Sequence, residues 1–203
     1  AEQISRMILE GFEFAFISGT KSEDLMNLIS SRVKEKHHLL ATTGTNYTQI
    51  ERDKAELKYN FSFSEEEKKE IFSALDKVVE HFNIKPMTSK EDQIQDRDSQ
   101  ITLSAIGRNA PQEIKQKYDQ DGSKRKLWVE FVRQFLPEDK YDARIGGTTS
   151  IDVTRKGLDK EWGIKTFADY HKIPLSSIVF LGDKIFPGGN DFPATKIVDC
   201  VSV

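Results

Sequence analysis

The 203-residue chain is poor in thiols: Cys200 is its one cysteine, which excludes an internal disulfide and suits a reducing compartment, so the cytoplasm is the expected location. Long apolar runs are missing too. The longest fall far short of the roughly 20 residues that a membrane-spanning helix needs, so no membrane contact is expected, and no signal-peptide pattern opens the chain. An excess of basic charge is also absent, since 30 Lys+Arg against 33 Asp+Glu give a net charge of −3. The basic run Lys124-Arg125-Lys126 then reads as a solvated helix face, and nucleic acid is not an expected partner. There is no initiator Met, and Ile4, Met7 and Ile8 follow helical spacing with no capping residue ahead of them. The other end stops in the strand-like Val201-Ser202-Val203, where a sheet would be covered by another helix, so both ends are expected to be cut. Cys200 lies in that apolar alternation and reads as a core strand residue, not a nucleophile.

What is present, 37% apolar and 31% charged residues, describes a globular chain long enough for one large domain or a domain with a substantial insertion. Two kinds of pattern divide it. Phe12–Ile17, His38–Thr42, Ile178–Leu181 and Lys196–Val201 are short apolar runs separated by helical segments such as 21–35 and 159–171, which predicts a parallel, helix-covered, Rossmann-like α/β sheet. In the middle, Tyr59, Phe61 and Phe63 alternate with polar residues, as do Ile101, Leu103 and Ala105, and Thr149, Ile151 and Val153, which suits an antiparallel sheet with one covered face. Two amphipathic helices interleave with it. One opens on a Ser64-x-x-Glu67 capping box and carries Ile71, Leu75, Val78, Val79 and Phe82; the other carries Leu127, Trp128, Phe131, Val132 and Phe135. The reading is a discontinuous α/β core, residues 1–51 and 154–203, with an α+β insertion over 52–153.

The most informative segment is Gly182-Asp183-Lys184-Ile185-Phe186-Pro187-Gly188-Gly189-Asn190-Asp191, two carboxylates and an amide in a glycine-rich turn after an apolar run. In parallel α/β sheets ligands bind at the carboxyl ends of strands, and magnesium takes one or two protein carboxylates with water and phosphate. Asp183 fits as a direct ligand, with Asn190 and Asp191 close by. Ser18 follows a strand, so its hydroxyl and the Gly19 amide can face a phosphate oxygen. Lys160 stands near the start of a helix, where a cation opposes the macrodipole unless an anion balances it. If Ile151 and Val153 face a core, Ser150 and Asp152 share the opposite face. Arg125 and Arg133, eight residues apart on a helix, differ by roughly 12 Å along the axis and about 80° around it, so with Arg108 they can, but need not, converge on one ligand.

Ile17-Ser18-Gly19-Thr20, Gly157-Leu158-Asp159-Lys160 and the Gly182–Asp191 segment together resemble the second, third and fourth motifs of haloacid-dehalogenase-type phosphotransferases. Within the insertion, Ser104–Arg108, the Arg125 and Arg133 pair, and Ile145–Val153 resemble the cap domain of the eukaryotic-type phosphomannomutases. The resemblance covers nearly the whole chain, least clearly at residues 36–95. It implies a magnesium-dependent enzyme that transfers phosphoryl groups on hexose phosphates through an aspartyl phosphate, with a sugar-phosphate phosphatase or a non-catalytic sugar-phosphate binder as alternatives. Lys160 and Ser18 would serve the chemistry, with Thr20 an alternative hydroxyl, since those mutases have Gly-Gly-Ser where this chain has Ser-Gly-Thr. Gly19, Thr20, Arg108, Arg125, Arg133, Ser150, Asp152 and Asn190 would bind substrate or phosphate, and Asp183 and Asp191 the metal. A homodimer through the cap is the expected assembly. The family's nucleophile is the first Asp of an Asp-x-Asp on the first core strand, and none precedes Ser18; Asp96-x-Asp98 has the spacing but lies in a polar stretch of the insertion. The nucleophile strand is therefore expected upstream of residue 1.

Overall fold

In a computed structural model, which describes residues 1–52 and 54–203, the chain divides into two compact units, Ala1–Phe61 with Gly157–Val203, and Ser62–Lys156. The elements run α1 (Glu2–Leu9), β1 (Ala15–Ile17), α2 (Ser22–Ile29), β2 (His37–Ala41), β3 (Asn46–Glu51) and β4 (Lys54–Asn60) in the first unit. The second unit holds α3 (Glu65–His81), α4 (Lys90–Gln93), β5 (Ile94–Asp96), β6 (Gln100–Ser104), α5 (Gln112–Tyr118), α6 (Ser123–Val132), β7 (Tyr141–Ile145) and β8 (Ser150–Arg155). The chain then returns to the first unit with α7 (Lys160–His171), β9 (Val179–Gly182) and β10 (Asp199–Ser202).

Unit 1 is the mixed α/β part. β1 and β2 pair in parallel, as do β9 and β10, while β3 and β4 extend the first sheet antiparallel, in the order β1-β2-β3-β4. β3 and β4 run antiparallel because four-residue and two-residue gaps separate β2, β3 and β4, too short for the crossover that parallel neighbours require. Tyr59 and Phe61, whose alternation suggested the insertion, belong here, because β4 pairs with β3 and the Phe61 N–H donates to the Thr45 carbonyl. Alternation announces a strand without naming its partner. β1 is shorter than the Phe12–Ile17 run, and Phe12 is exposed.

Unit 2 is one antiparallel sheet, β5-β6-β8-β7, backed by helices. Ile101, Leu103, Ile151, Val153 and Ala143 point from the sheet into a core with Ile71, Leu75 and Val78 of α3 and Trp128, Val129 and Val132 of α6. Each such Leu or Ile, once fully buried, contributes about 1.5–3 kcal/mol. The expected capping box starts α3: Ser64 Oγ accepts from the Glu67 N–H at 3.3 Å, and Glu67 Oε2 accepts from the Ser64 N–H at 2.8 Å. Period two leaves the other face of the sheet polar, with Thr102 opposite Asp152 and Ser104 opposite Ser150.

Candidate functional sites in the two units

In unit 1 the first group of residues gathers where β1 ends. The Ser18 N–H donates to the Leu40 carbonyl, extending the parallel ladder by one residue, and Ser18 Oγ accepts from the Thr20 N–H at 3.2 Å. The Ser18 carbonyl accepts from Thr43, within a turn in which Thr42 and Thr43 have φ of 44° and 60°. Such angles are costly for β-branched residues and persist where surroundings impose them. Here the surroundings are α7: a Cβ on Gly163 would lie 2.3 Å from the Thr43 carbonyl oxygen, so only glycine lets the helix approach the turn. That approach brings the first turn of α7, with Lys160, to the same end of the sheet as Ser18. Sequence reasoning missed Gly163, although a glycine inside a helical pattern is itself a signal of close packing.

Lys160 is 7% exposed, and its ammonium donates to Asp191 Oδ1. Asp191 Oδ2 accepts from the Lys184 N–H at 3.0 Å. Burial pushes the Asp191 carboxyl up, but the Lys160 ammonium and the Lys184 N–H outweigh it and hold the group below the ordinary aspartate range. A Cβ on Gly182 would stand 2.7 Å from Asp191 Oδ2, which explains a glycine before Asp183. Both Asp191 oxygens are therefore engaged by the protein, so its structural part is to fix Lys160 and close the 184–191 loop. Asp183, exposed at the end of β9, is the carboxylate open to solvent, with Asn190 exposed on the same loop. Among the described residues no group of three or more His, Cys, Asp and Glu side chains is placed to hold a metal ion. A single hard carboxylate that leaves its other partners to water and phosphate still fits magnesium.

In unit 2 the polar face of the sheet forms a cavity of about 340 Å³. Its lining includes Arg97 from the β5–β6 turn, Thr102 and Ser104 of β6, Arg108, Gln112 and Lys115 of the following segment, and Gly147–Ser150 with Asp152 from the β7–β8 hairpin. Asp152 Oδ1 accepts from the Thr102 hydroxyl at 2.7 Å; burial pushes its carboxyl above the usual range, opposed by Thr102 and Arg97. The Lys115 ammonium is anchored on the Arg108 carbonyl at 2.9 Å. Of the expected ligand residues, Arg108, Ser150 and Asp152 line this cavity, whereas Arg125 and Arg133 do not. Arg125 is buried against Asp119 at 2.7 Å, and Arg133 is an exposed residue that donates to the Ala143 carbonyl at 2.9 Å. Helical spacing fixes the separation of two arginines but not which side of a helix meets the sheet. Arg97 and Lys115 take their place in the lining, one on a hairpin turn and one on a short helix, where no periodicity marks them. A larger groove, about 480 Å³, runs beside α3 from Lys69 to Glu80; its charges alternate in sign along one helix, so it lacks convergent groups of one chemistry.

A family model described as eukaryotic phosphomannomutase matches residues 2–199. The phosphomannomutase of Spinacia oleracea is 35% identical over 102 residues, 49% of this chain and 39% of that protein. That of Saccharomyces cerevisiae is 34% identical over 99 residues, 47% of this chain and 38% of that protein. Each match thus spans about two fifths of the curated relative. Among solved structures, a haloacid dehalogenase-like hydrolase from Bacteroides thetaiotaomicron superposes with a TM-score of 0.66 at 12% identity, over 97% of this chain and 77% of that one. The N-terminally truncated IMP-nucleotidase of Plasmodium falciparum gives 0.61 at 17% identity, over 100% and 60%. At these identities the structures establish the fold, a Rossmann-like core with an inserted unit.

Proposed function

The chain belongs to the eukaryotic phosphomannomutase family, and from that premise we propose that it takes part in magnesium-dependent phosphoryl transfer on hexose phosphates through an aspartyl phosphate. The observation that carries the reading is the unit 2 cavity, where Arg97, Arg108 and Lys115 line the same space as Asp152, Ser150 and Thr102. Cations suit a phosphate that does not react, and a carboxylate among hydroxyls suits the hydroxyl groups of a sugar. In unit 1, Ser18, Gly19 and Thr20 would donate to the reacting phosphate and Lys160 would balance its charge, held in place by Asp191. Asp183 would hold magnesium, with Asn190 near it; the ion supplies charge neutralisation at the phosphoryl oxygens when bound.

The nucleophile of such chemistry is an Asp on a core strand, and Asp96-x-Asp98 does not meet that need. It forms the β5–β6 turn, where Asp96 accepts from the Asp98 N–H at 2.8 Å and pairs with Lys68. We place the nucleophile on a strand between β1 and β9. The support is that β1 ends one sheet and β9 the other, so each has an edge without a strand among the described residues, while Ile17 and Phe180 join the same apolar cluster. Self-association through unit 2 belongs to the same reading, supported by Leu127 and Phe135, which stay exposed there.

The test is phosphorus NMR on the full-length protein with magnesium and mannose 1-phosphate. Conversion to mannose 6-phosphate is expected, stimulated by catalytic hexose bisphosphate, with inorganic phosphate appearing late. Inorganic phosphate as the only product at every bisphosphate concentration would make the protein a phosphatase, and tight binding without turnover would make it a binding protein.

A further inference from the structure

Beside the unit 2 cavity lies a buried ion pair that the chemistry above does not use. Arg125 is 7% exposed; its Nε donates to Asp119 Oδ2 at 2.7 Å, its Nη2 to the Asp119 carbonyl at 2.7 Å, and its Nη1 to the carbonyl of Gly147. Asp119 directly follows α5, the helix that presents Gln112 and Lys115 to the cavity, while Gly147 belongs to the hairpin turn that forms another part of the lining. One guanidinium therefore fastens two parts of the cavity wall.

At its near end the turn is closed by the Gly146 N–H, which donates to the Ser150 carbonyl at 2.9 Å, and Arg125 adds a second hold on the Gly147 carbonyl. The far end is held independently, because the Thr149 carbonyl accepts from the Ala105 N–H at 2.9 Å. At the near end the Gly147 N–H donates to Ser150 Oγ at 2.9 Å, so a shift of Gly147 is passed to a side chain that lines the cavity. Stability alone is a poor reason for such a pair, since apolar residues of similar volume often hold helices together as well or better. What an apolar pair lacks is a rigid fork of donors that can grip a carboxylate and a loop carbonyl together.

We propose that Arg125 is a positioning residue: without touching the ligand, it sets the spacing between the Lys115 wall and the Gly147–Ser150 wall, and so the affinity of the cavity for a phosphate-bearing ligand. This rests on reading the cavity as the phosphate site. Arg125→Lys in the full-length protein tests it, because lysine keeps the charge opposite Asp119 but has no fork to span Asp119 and Gly147. Three readouts are taken together: amide exchange across residues 146–150, affinity for inorganic phosphate by calorimetry, and the melting curve. The expected result is exchange at the turn faster by about fivefold, phosphate binding weaker by about tenfold, and melting little changed. Unchanged exchange overturns the proposal, as does faster exchange with wild-type phosphate affinity. Weaker binding with unchanged exchange also overturns it, since that pattern means direct contact. If Arg125→Lys does not fold, the double substitution Asp119→Asn with Arg125→Gln, which removes both charges, is read against the same outcomes. Should the wild-type protein bind neither phosphate nor hexose phosphate, the functional reading fails, and exchange at Gly147–Ser150 in the variant still decides whether Arg125 sets the turn.

Discussion

Among the described residues, unit 2 gathers seventeen buried side chains into one apolar cluster behind a single sheet, whereas unit 1 divides its buried apolar residues among three clusters and its strands between two sheets. Unit 1 leans on buried polar bonds, which unit 2 also has, at Arg125 and Asp119, but beside a larger apolar core. His38 Nδ1 meets Tyr47 Oη at 2.7 Å, and His171 Nε2 meets the same oxygen at 2.8 Å. Thr42 and Thr45 share a bond of 2.7 Å, and Lys160 is buried on Asp191. Two ways of holding a fold follow. A continuous apolar core spreads any single loss over many neighbours, while buried polar pairs concentrate it, because a partner left behind keeps its full desolvation cost.

The largest effect is therefore expected at the buried pair of unit 1. Lys160→Met leaves the Asp191 carboxylate, 2% exposed, without its cation, and breaking such a pair costs about 3–5 kcal/mol. In a two-transition melting experiment the unit 1 transition should fall sharply while that of unit 2 stays in place, and turnover should be lost. A uniform shift of both transitions would show that the units do not melt separately and would undo the comparison. Next in size is Leu103→Ala, at a fully buried position on β6, for which about 2–4 kcal/mol is expected from unit 2 alone.

Acid should separate the units by another route. Burial, reinforced by His171, lowers the His38 imidazole to about 4, with Glu13 opposing. The folded state thus resists a proton that the unfolded state accepts near 6.5, so stability present above pH 6.5 is lost as pH falls toward 4. In unit 2, by contrast, the bond from Arg155 holds Glu67 at about 2 against an ordinary 4.5, so its contribution persists above pH 4.5 and is lost only toward pH 2. Melting from pH 7 to 4 should weaken unit 1 first. The comparison breaks if unit 2 is the first to go.

The sequence was most legible where one physical rule acted alone. Ile101 and Leu103, and Ile151 and Val153, could be assigned to a covered sheet face because period two leaves no other arrangement for them, and Ser150 and Asp152 followed onto the opposite face. The glycine-rich loop was legible because Asp183 and Asp191 stand within one turn-rich segment. Residues joined by distant segments were not. The bond from Tyr47 to His171 crosses 124 positions, and nothing in either neighbourhood announces it. Arg97 and Lys115 had no pattern to mark them, and Arg125 gave a false one, since a basic run looks alike whether its arginine faces solvent or a buried aspartate.

The smallest effect is also the sharpest test of that correction. Arg133 has a side chain 57% exposed, lies 3.6 Å from Asp142, and donates to a backbone carbonyl outside the cavity. An exposed pair of this kind is worth about 0–1 kcal/mol, so Arg133→Ala should barely move the unit 2 melting transition. Because Arg133 is absent from the cavity lining, its removal should leave phosphate affinity within about twofold of wild type. Arg97→Ala, which removes a lining cation, should weaken phosphate binding by about tenfold or more, a loss of roughly 1.4 kcal/mol that fits one charge-assisted hydrogen bond. Calorimetry on both variants gives the comparison directly. If Arg133→Ala loses affinity and Arg97→Ala does not, the ligand is held on the helical side of unit 2, and the pair of arginines read from helical spacing was the right one.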